Sequence, residues 1–339
     1  MNRVESHKKK NGYGRFFTAL AALALVLVIA VGIVYIWPTP MQDVKITIKP
    51  GSSSADIAGV LADNGVIKNA ILFKLYISRK NAGEKLQAGE YNLQTGMSFS
   101  EALIALLKGP DIKYFKITAP EGLTVAQTAD TVAASSPIKK DDFLAAAIKS
   151  KYKFDFLKEI PGEDLEGFLF PKTYTITDKT TAEDLINMML KQFQIETSVL
   201  DMSLAEKRGM TIYQVVIVGS IIEKEVKLSQ ERPLVAAVIY NRLDQGMYLQ
   251  MCATVEYALP EHKEALSYED LETESPYNTY LHPGLPPGPI ASPGLASLEA
   301  ALKPSPVDYL YYVLTGEDGT HSFTNSYEEF AKIKAEKGL

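Results

Sequence analysis

The chain has 339 residues, 46% hydrophobic and 22% charged, which allows two ordinary domains with a real core plus a tail. A single cysteine, Cys252, excludes an intramolecular disulfide framework. The four histidines (His7, His262, His282 and His321) show no ligand-like spacing, so no zinc site, other metal or cofactor is expected. The formal net charge is −6, and its distribution along the chain is uneven.

The first fifteen residues hold Arg3, Lys8, Lys9, Lys10 and Arg15 against Glu5. Phe17 to Trp37 then runs without a charge, and 21 residues at about 1.5 Å each span roughly 31 Å, the thickness of a bilayer core. Tyr35 and Trp37 end the run like interfacial anchors, and Pro38-Thr-Pro40 stops it. A secretory signal would be shorter and would end in a small-x-small site. The reading is a single-pass transmembrane helix over 17–37, a cytoplasmic basic tail over 1–16, and an extracytoplasmic remainder. Taking the tail's five basic and one acidic residues from the totals of 35 and 41 leaves 30 and 40, a balance of −10 outside the membrane. That argues against nucleic acid and is compatible with an uncharged or zwitterionic partner such as a glycan.

Val44 to Gly109 reads as a small α/β module. Val44–Ile48 alternates as a strand, Pro50-Gly51 turns, and Ser53 to Asp56 opens an apolar helix with a capping-box pattern. Asn64-Gly65 breaks that helix, Ile71 to Ser78 begins another, and Ser98 to Glu101 caps a third that Gly109 closes. The opening unit recurs: Gly51-Ser-Ser53-Ser-Ala-Asp56 has the same form as Gly122-Leu-Thr124-Val-Ala-Gln127, each preceded by a strand. Two copies do not make a solenoid. Further on, Leu165 to Tyr174 is dense in aromatics. Phe168 and Phe170 read as core around a turn at Pro171, while Glu166 suits a core poorly and could face a cleft.

The helix opening at Thr211, TIYQVVIVGSIIEKEV, is the most informative stretch. It is apolar throughout and ends with two glutamates. Residues three and four apart share a helix face, so Glu225 continues the stripe of Val218, Ile221 and Ile222. Glu223 falls with Gly219 and Ser220, and Lys227 is spaced to pair with it at i+4. A carboxyl on an apolar face has its ionised form disfavoured and its pKa raised, as a general acid requires at neutral pH. Glu225 is the candidate acid.

A second helix begins near Ser229, presents Val235, Val238, Ile239 and Arg242 on one face, and ends at Gly246. Tyr248 to Val255 reads as extended, and Ser267 to Leu271 as a short helix. From Pro283 to Gly294, eight of twelve residues are Pro or Gly, a stiff loop able to hold one wall of a cleft. Tyr309–Leu314 and His321–Thr324 flank Gly316 to Gly319 and read as a hairpin, and a terminal helix follows from Tyr327.

Three stretches together carry a resemblance: IIEKEV with the helix ERPLVAAVIYNRLDQGMYLQ after it, YNTYLHPGLPPGPIASPG, and LEGFLFPKTY. They resemble the MltG-type (YceG-like) endolytic murein transglycosylases of bacteria. The resemblance runs from the anchor to the C-terminus. It implies an α+β chain: the single-pass helix, a LysM-like module over 44–110, and a mixed α/β catalytic domain over 113–339 with a helical active-site core. The implied activity is that of a peptidoglycan lytic transglycosylase, cleaving the β-1,4 bond between N-acetylmuramic acid and N-acetylglucosamine in nascent strands and leaving a 1,6-anhydro end. The match favours Glu225 as the catalytic residue. Such enzymes typically place Ser or Thr after the catalytic Glu, where this chain has Val226, and Gln250-Met-Cys-Ala-Thr254 stands where other members have an Asp-Pro version. By position, Gln250, Asn278 and Tyr280 are the candidates to orient the sugar, with Glu166 and Asn241 behind them. The implied partners are peptidoglycan glycan strands and the peptidoglycan synthases of elongation or division. Two alternatives stand beside this: a non-catalytic glycan-binding scaffold, and a two-carboxylate hydrolytic muramidase with Glu166 or Glu256 as second group.

Overall fold

The computed structural model describes residues 40–338 except 262, 264 and 265, together with Phe17, Thr18, Leu20, Ala22, Leu23, Leu25 and Val26. These seven are helical, but most of the expected membrane span over 17–37 lies outside the described residues. Among the described residues no helix is long and apolar enough to cross a membrane. The chain divides into two compact units, one ending at Ile112 and the other beginning at Lys113.

The first unit is built on β1 (Asp43–Ile48) and β2 (Gly89–Gln94), paired antiparallel with Ile46 opposite Tyr91. Between them run the helices Ser54–Asp63 and Ala70–Arg79, and after them Phe99–Lys108. The capping boxes expected at Ser53/Asp56 and Ser98/Glu101 form, each hydroxyl and carboxylate satisfying otherwise orphaned amides. The strands turn Ile46, Ile48, Tyr91 and Leu93 inward, against Leu61, Phe73, Ile77 and Leu106 of the helices. Each aliphatic side chain buried here contributes roughly 1.5–3 kcal/mol against the exposed chain.

The second unit repeats the opening on a larger scale. β3 (Tyr114–Thr118) pairs antiparallel with β4 (Thr173–Thr177), Ile117 opposite Tyr174. Gly122 takes the same left-handed turn as Gly51, with φ of 78° and 79°. A capping box at Thr124/Gln127 then starts the helix Val125–Ser135, and Lys140–Ala146 follows it. Both units therefore contain strand, glycine turn, capped helix, second helix and returning antiparallel strand. The recurrence seen in the sequence extends beyond the turn to the strand pairing.

The helix Ile212–Glu225 lies at the centre of this unit, capped by Thr211 and Gln214. Every residue from Val215 to Ile222 is buried, so its middle has no solvent face, as expected of a helix apolar all round. Leu295–Leu302, Arg232–Asp244 and Cys252–Ala258 pack around it. Gly219 permits the closest approach: a Cβ there would stand 3.0 Å from Leu298 Cδ2. The hairpin β5 (Tyr311–Leu314) and β6 (His321–Thr324), with the terminal helix Tyr327–Lys337, completes the unit.

One expected element is different. Tyr248 to Val255 does not run extended: Gln250 adopts a left-handed φ of 49°, and the helix Cys252–Ala258 starts two residues later. The reason is non-local. The Gln250 amide donates to Thr279 O and the Met251 amide to Thr279 Oγ1, which bends the chain into the helical turn.

Candidate active site

Glu225 is the last residue of its helix, with Val226 already extended behind it. The residue is half-buried, and both oxygens of its carboxylate are bound. The hydroxyl of Tyr312 donates to Oε2 at 2.7 Å, and the Ala253 amide donates to Oε1 at 3.1 Å. Burial drives the Glu225 pKa up, while the bonds from Tyr312 and Ala253 and the nearby charges of His321 and Arg242 oppose it; burial wins. The negative end of the helix dipole acts in the same direction as burial. Among the described residues, no cationic nitrogen lies within ion-pair distance of this carboxylate.

Glu223, two residues earlier, has the opposite environment. Its side chain is also buried, so burial does not separate the two glutamates; their partners do. Arg232 Nη2 lies 3.2 Å from Glu223 Oε1, and the Gly294 amide donates to Oε2 at 3.0 Å. The guanidinium of Arg232 takes the place that the i+4 spacing gave to Lys227. The reason is again tertiary, since Arg232 begins the next helix and turns back over the end of this one.

Glu223 belongs to a row that holds the Pro- and Gly-rich loop. The Tyr213 hydroxyl donates to Pro287 O at 2.8 Å, the Ile290 amide donates to Ser220 Oγ at 3.1 Å, and Gly294 reaches Glu223. Positions 213, 220 and 223 share one helix face. The loop is bound at its other edge by Gly122 and Leu123, which exchange backbone bonds with Ser292. One face of the helix thus fixes a wall, and its end presents Glu225.

The hairpin and the segment after Arg242 are joined beside Glu225. Arg242 is buried; its Nε donates to Leu310 O at 2.7 Å and its Nη1 to Leu249 O. This ties the start of β5, which carries Tyr312, to the bend leading to Ala253. Burial keeps the Tyr312 phenol well above its ordinary pKa, with the Glu225 charge adding to the effect, so the hydroxyl stays a neutral donor.

The candidate sugar-orienting residues fall into two groups. Gln250 is exposed on its left-handed bend, three residues before Ala253. The Tyr280 hydroxyl lies 3.2 Å from Cys252 Sγ; burial raises its pKa, with a smaller contribution from the nearby Glu225 charge. Asn278 is fully buried: its amide donates to Leu271 O and Thr273 O, both at 2.9 Å, and its Oδ1 accepts from the Tyr280 amide at 2.9 Å. Asn241 donates to Val307 O and Tyr309 O at 2.9 and 2.8 Å. These two asparagines have their amide groups committed to backbone.

Glu166 faces a cavity of about 400 Å³ that it shares with Thr124, Gln127, Lys224, Ala253 and Tyr257. Both its oxygens accept from the Val125 amide at 3.1 Å. Burial lifts its pKa to about 8 despite those bonds. Ala253 thus lies between this cavity and Glu225.

Tyr312, the partner of Glu225, was not among the residues picked from the sequence. The only local signal was an aromatic strand, Tyr309 to Leu314, and nothing in it singles out position 312. Among the described residues, no three or more His, Cys, Asp or Glu side chains gather as they would around a metal ion.

Comparison with known proteins gives a consistent picture. The YceG-like family matches residues 46–336. The endolytic murein transglycosylase of Bacillus subtilis is 37% identical over 306 residues, covering 86% of this chain and 84% of that protein. The endolytic murein transglycosylase of Streptococcus pneumoniae R6 is 32% identical over 321 residues, covering 86% of this chain but only 58% of the longer pneumococcal protein. The crystal structure of a putative YceG-like protein from Listeria monocytogenes superposes with a TM-score of 0.59 at 36% identity, over 86% of this chain and 99% of that one. The family match, spanning both compact units, establishes that this chain belongs to the YceG-like family.

Proposed function

We propose that this chain is a membrane-anchored endolytic peptidoglycan lytic transglycosylase in which Glu225 acts first as general acid and then as general base. The observation that carries the role of Glu225 is its environment: a half-buried residue whose carboxyl has no cationic partner among the described residues and is held by one neutral hydroxyl and one amide. The activity follows the names of the relatives, which are endolytic murein transglycosylases.

The chemistry needs one carboxyl. Protonated Glu225 gives its proton to the oxygen linking N-acetylmuramic acid to N-acetylglucosamine, and the C1–O bond breaks as positive charge develops at C1. The resulting carboxylate is stabilised by Tyr312 and Ala253. It then takes the proton of the muramic C6 hydroxyl as that oxygen bonds to C1, closing the 1,6-anhydro ring. Glu225 ends protonated, as it began, and no water enters the balance. In this reading Tyr280 and Gln250 contact the sugar, supported by the nearness of Tyr280 to Cys252 and the exposure of Gln250 on the bend before Ala253. Asn278 and Asn241 act through what they hold, the Tyr280 loop and the approach to β5. The cavity bearing Glu166 offers a subsite next to Ala253.

The strand–helix–helix–strand order of the first unit supports the LysM-like reading of residues 44–110 and a glycan-holding role for it. The basic tail and the uncharged run over 17–37 support an anchor with the N-terminus in the cytoplasm. That puts the catalytic region where new strands emerge and where peptidoglycan synthases of elongation or division work.

The test is Glu225→Gln in the purified full chain, supplied with uncrosslinked glycan strands. The expected result is a loss of roughly 10³-fold in anhydro-ended product with glycan binding retained. Undiminished release of anhydro ends would sink the assignment. Mass analysis of the ends separates the muramidase alternative, which yields reducing muramic acid.

A further inference from the structure

Tyr312 is itself held from behind. On the neighbouring strand, the imidazole of His321 packs edge-on against the Tyr312 ring, with centroids 5.5 Å apart and planes at 76°. His321 is clamped at two points by one carboxylate. Its amide donates to Glu231 Oε1 at 2.9 Å, and its Nδ1 lies 2.7 Å from Glu231 Oε2. Both side chains are nearly out of solvent, at 10% and 5% exposure. Glu231 sits in the short turn Ser229–Glu231 that begins the Arg232 helix, 90 residues from His321 in sequence.

Strand β6 is already paired to β5 by backbone bonds, so the hairpin does not need a buried carboxylate to form. Removing a carboxylate from water costs several kcal/mol, and the ion pair repays it only with good geometry. What the clamp adds is orientation. With its Nδ1 and backbone both bound to Glu231, the imidazole is held against one side of the Tyr312 ring, while Phe323 packs on the ring at 5.7 Å between centroids.

We propose that Glu231 and His321 form a positioning pair that acts through Tyr312 to set the Glu225 carboxyl in its reactive orientation. This rests on the reading of Glu225 as the acid. Neither residue need touch the glycan. The pair belongs to the chemical step and not to substrate capture, because misplacing a reacting group by about 1 Å can cost on the order of 10²-fold in rate.

The experiment is a double-mutant cycle on the full chain, using His321→Gln, Glu231→Gln, Tyr312→Phe and the combinations, read as kcat and KM for anhydro-ended product from uncrosslinked glycan strands. The expected result is a kcat lower by roughly tenfold or more for His321→Gln with KM little changed, and almost no further loss when it is added to Tyr312→Phe. Losses that multiply independently of Tyr312→Phe, or a raised KM with unchanged kcat, overturn the proposal. If His321→Gln does not fold, the same cycle with Glu231→Gln, which keeps one acceptor for His321, decides the matter on the same criteria. Glu225→Gln serves as control. If that variant stays active, the reading of the acid fails; if it is inactive and the coupling is absent, only the positioning pair fails.

Discussion

The Tyr312 hydroxyl stands 2.7 Å from Glu225 Oε2, joining the end of a buried helix to a strand 87 residues further along the chain. This bond distinguishes Glu225 from Glu223, whose partner is Arg232. A neutral donor stabilises the carboxylate once formed without locking it in that state, as an arginine would.

Tyr312→Phe should lower turnover at neutral pH by roughly tenfold to a hundredfold, since a hydrogen bond to a charged group contributes about 1.5–3 kcal/mol. The sign of the pH effect is fixed. The Tyr312 bond lowers the Glu225 pKa, so its loss raises that pKa and moves the alkaline limb of kcat/KM to higher pH. A pH–rate profile of the variant checks this, and an unmoved limb would show that the bond does not form in the free enzyme.

Glu223→Ala should destabilise the fold by about 3 kcal/mol, because Arg232, at 11% exposure, would lose its carboxylate at 3.2 Å and keep only Glu121 at 4.0 Å. Its effect on chemistry should be small in the folded fraction. Denaturant unfolding with an activity assay on the same preparation separates the two glutamates: one should matter for stability and the other for reaction.

The stability of the fold should depend on pH through Glu166. Its folded pKa is raised from 4.5 to about 8, so in that window the folded chain keeps a proton that the unfolded chain releases. Stability from this group is complete below about 4.5 and falls as pH rises towards 8, by at most about 1.4 kcal/mol per pH unit. Glu166→Gln should flatten that slope. Thermal midpoints of both proteins between pH 5 and 9 measure it, and parallel curves would contradict it.

Gly167→Ala should cost about 2–3 kcal/mol from backbone strain and overpacking. Gly167 has a φ of +86°, and a Cβ there would stand 2.5 Å from Pro289 Cβ and 2.8 Å from Val216 Cγ1. The residue is where the aromatic Leu165–Tyr174 segment meets both the stiff loop and the Glu225 helix. Equilibrium unfolding tests it, and a change below 0.5 kcal/mol would mean the loop can yield.

Reading the residues in order was enough wherever the deciding interactions are local. The capping boxes at Ser53, Ser98, Thr124 and Thr211 need only a side chain and an amide three residues apart, and all four form. The breaks at Gly65 and Gly246 need only a left-handed residue. The repeat of Gly51-Ser-Ser53 in Gly122-Leu-Thr124 was visible for the same reason. Periodicity also led to the helix bearing the candidate acid. It could not separate Glu223 from Glu225 by burial, since both lie half-buried at the end of that helix. Their difference lies in Arg232 and Gly294 for one, and in Tyr312 and Ala253 for the other. Position 312 carries no local mark, and the bend that brings Ala253 inward depends on Thr279. Contacts across such separations form only when the chain has collapsed and their loop-closure entropy has been met. The helix and its carboxyl were thus legible in the residues themselves, while the orientation and surroundings of that carboxyl come from packing between distant segments.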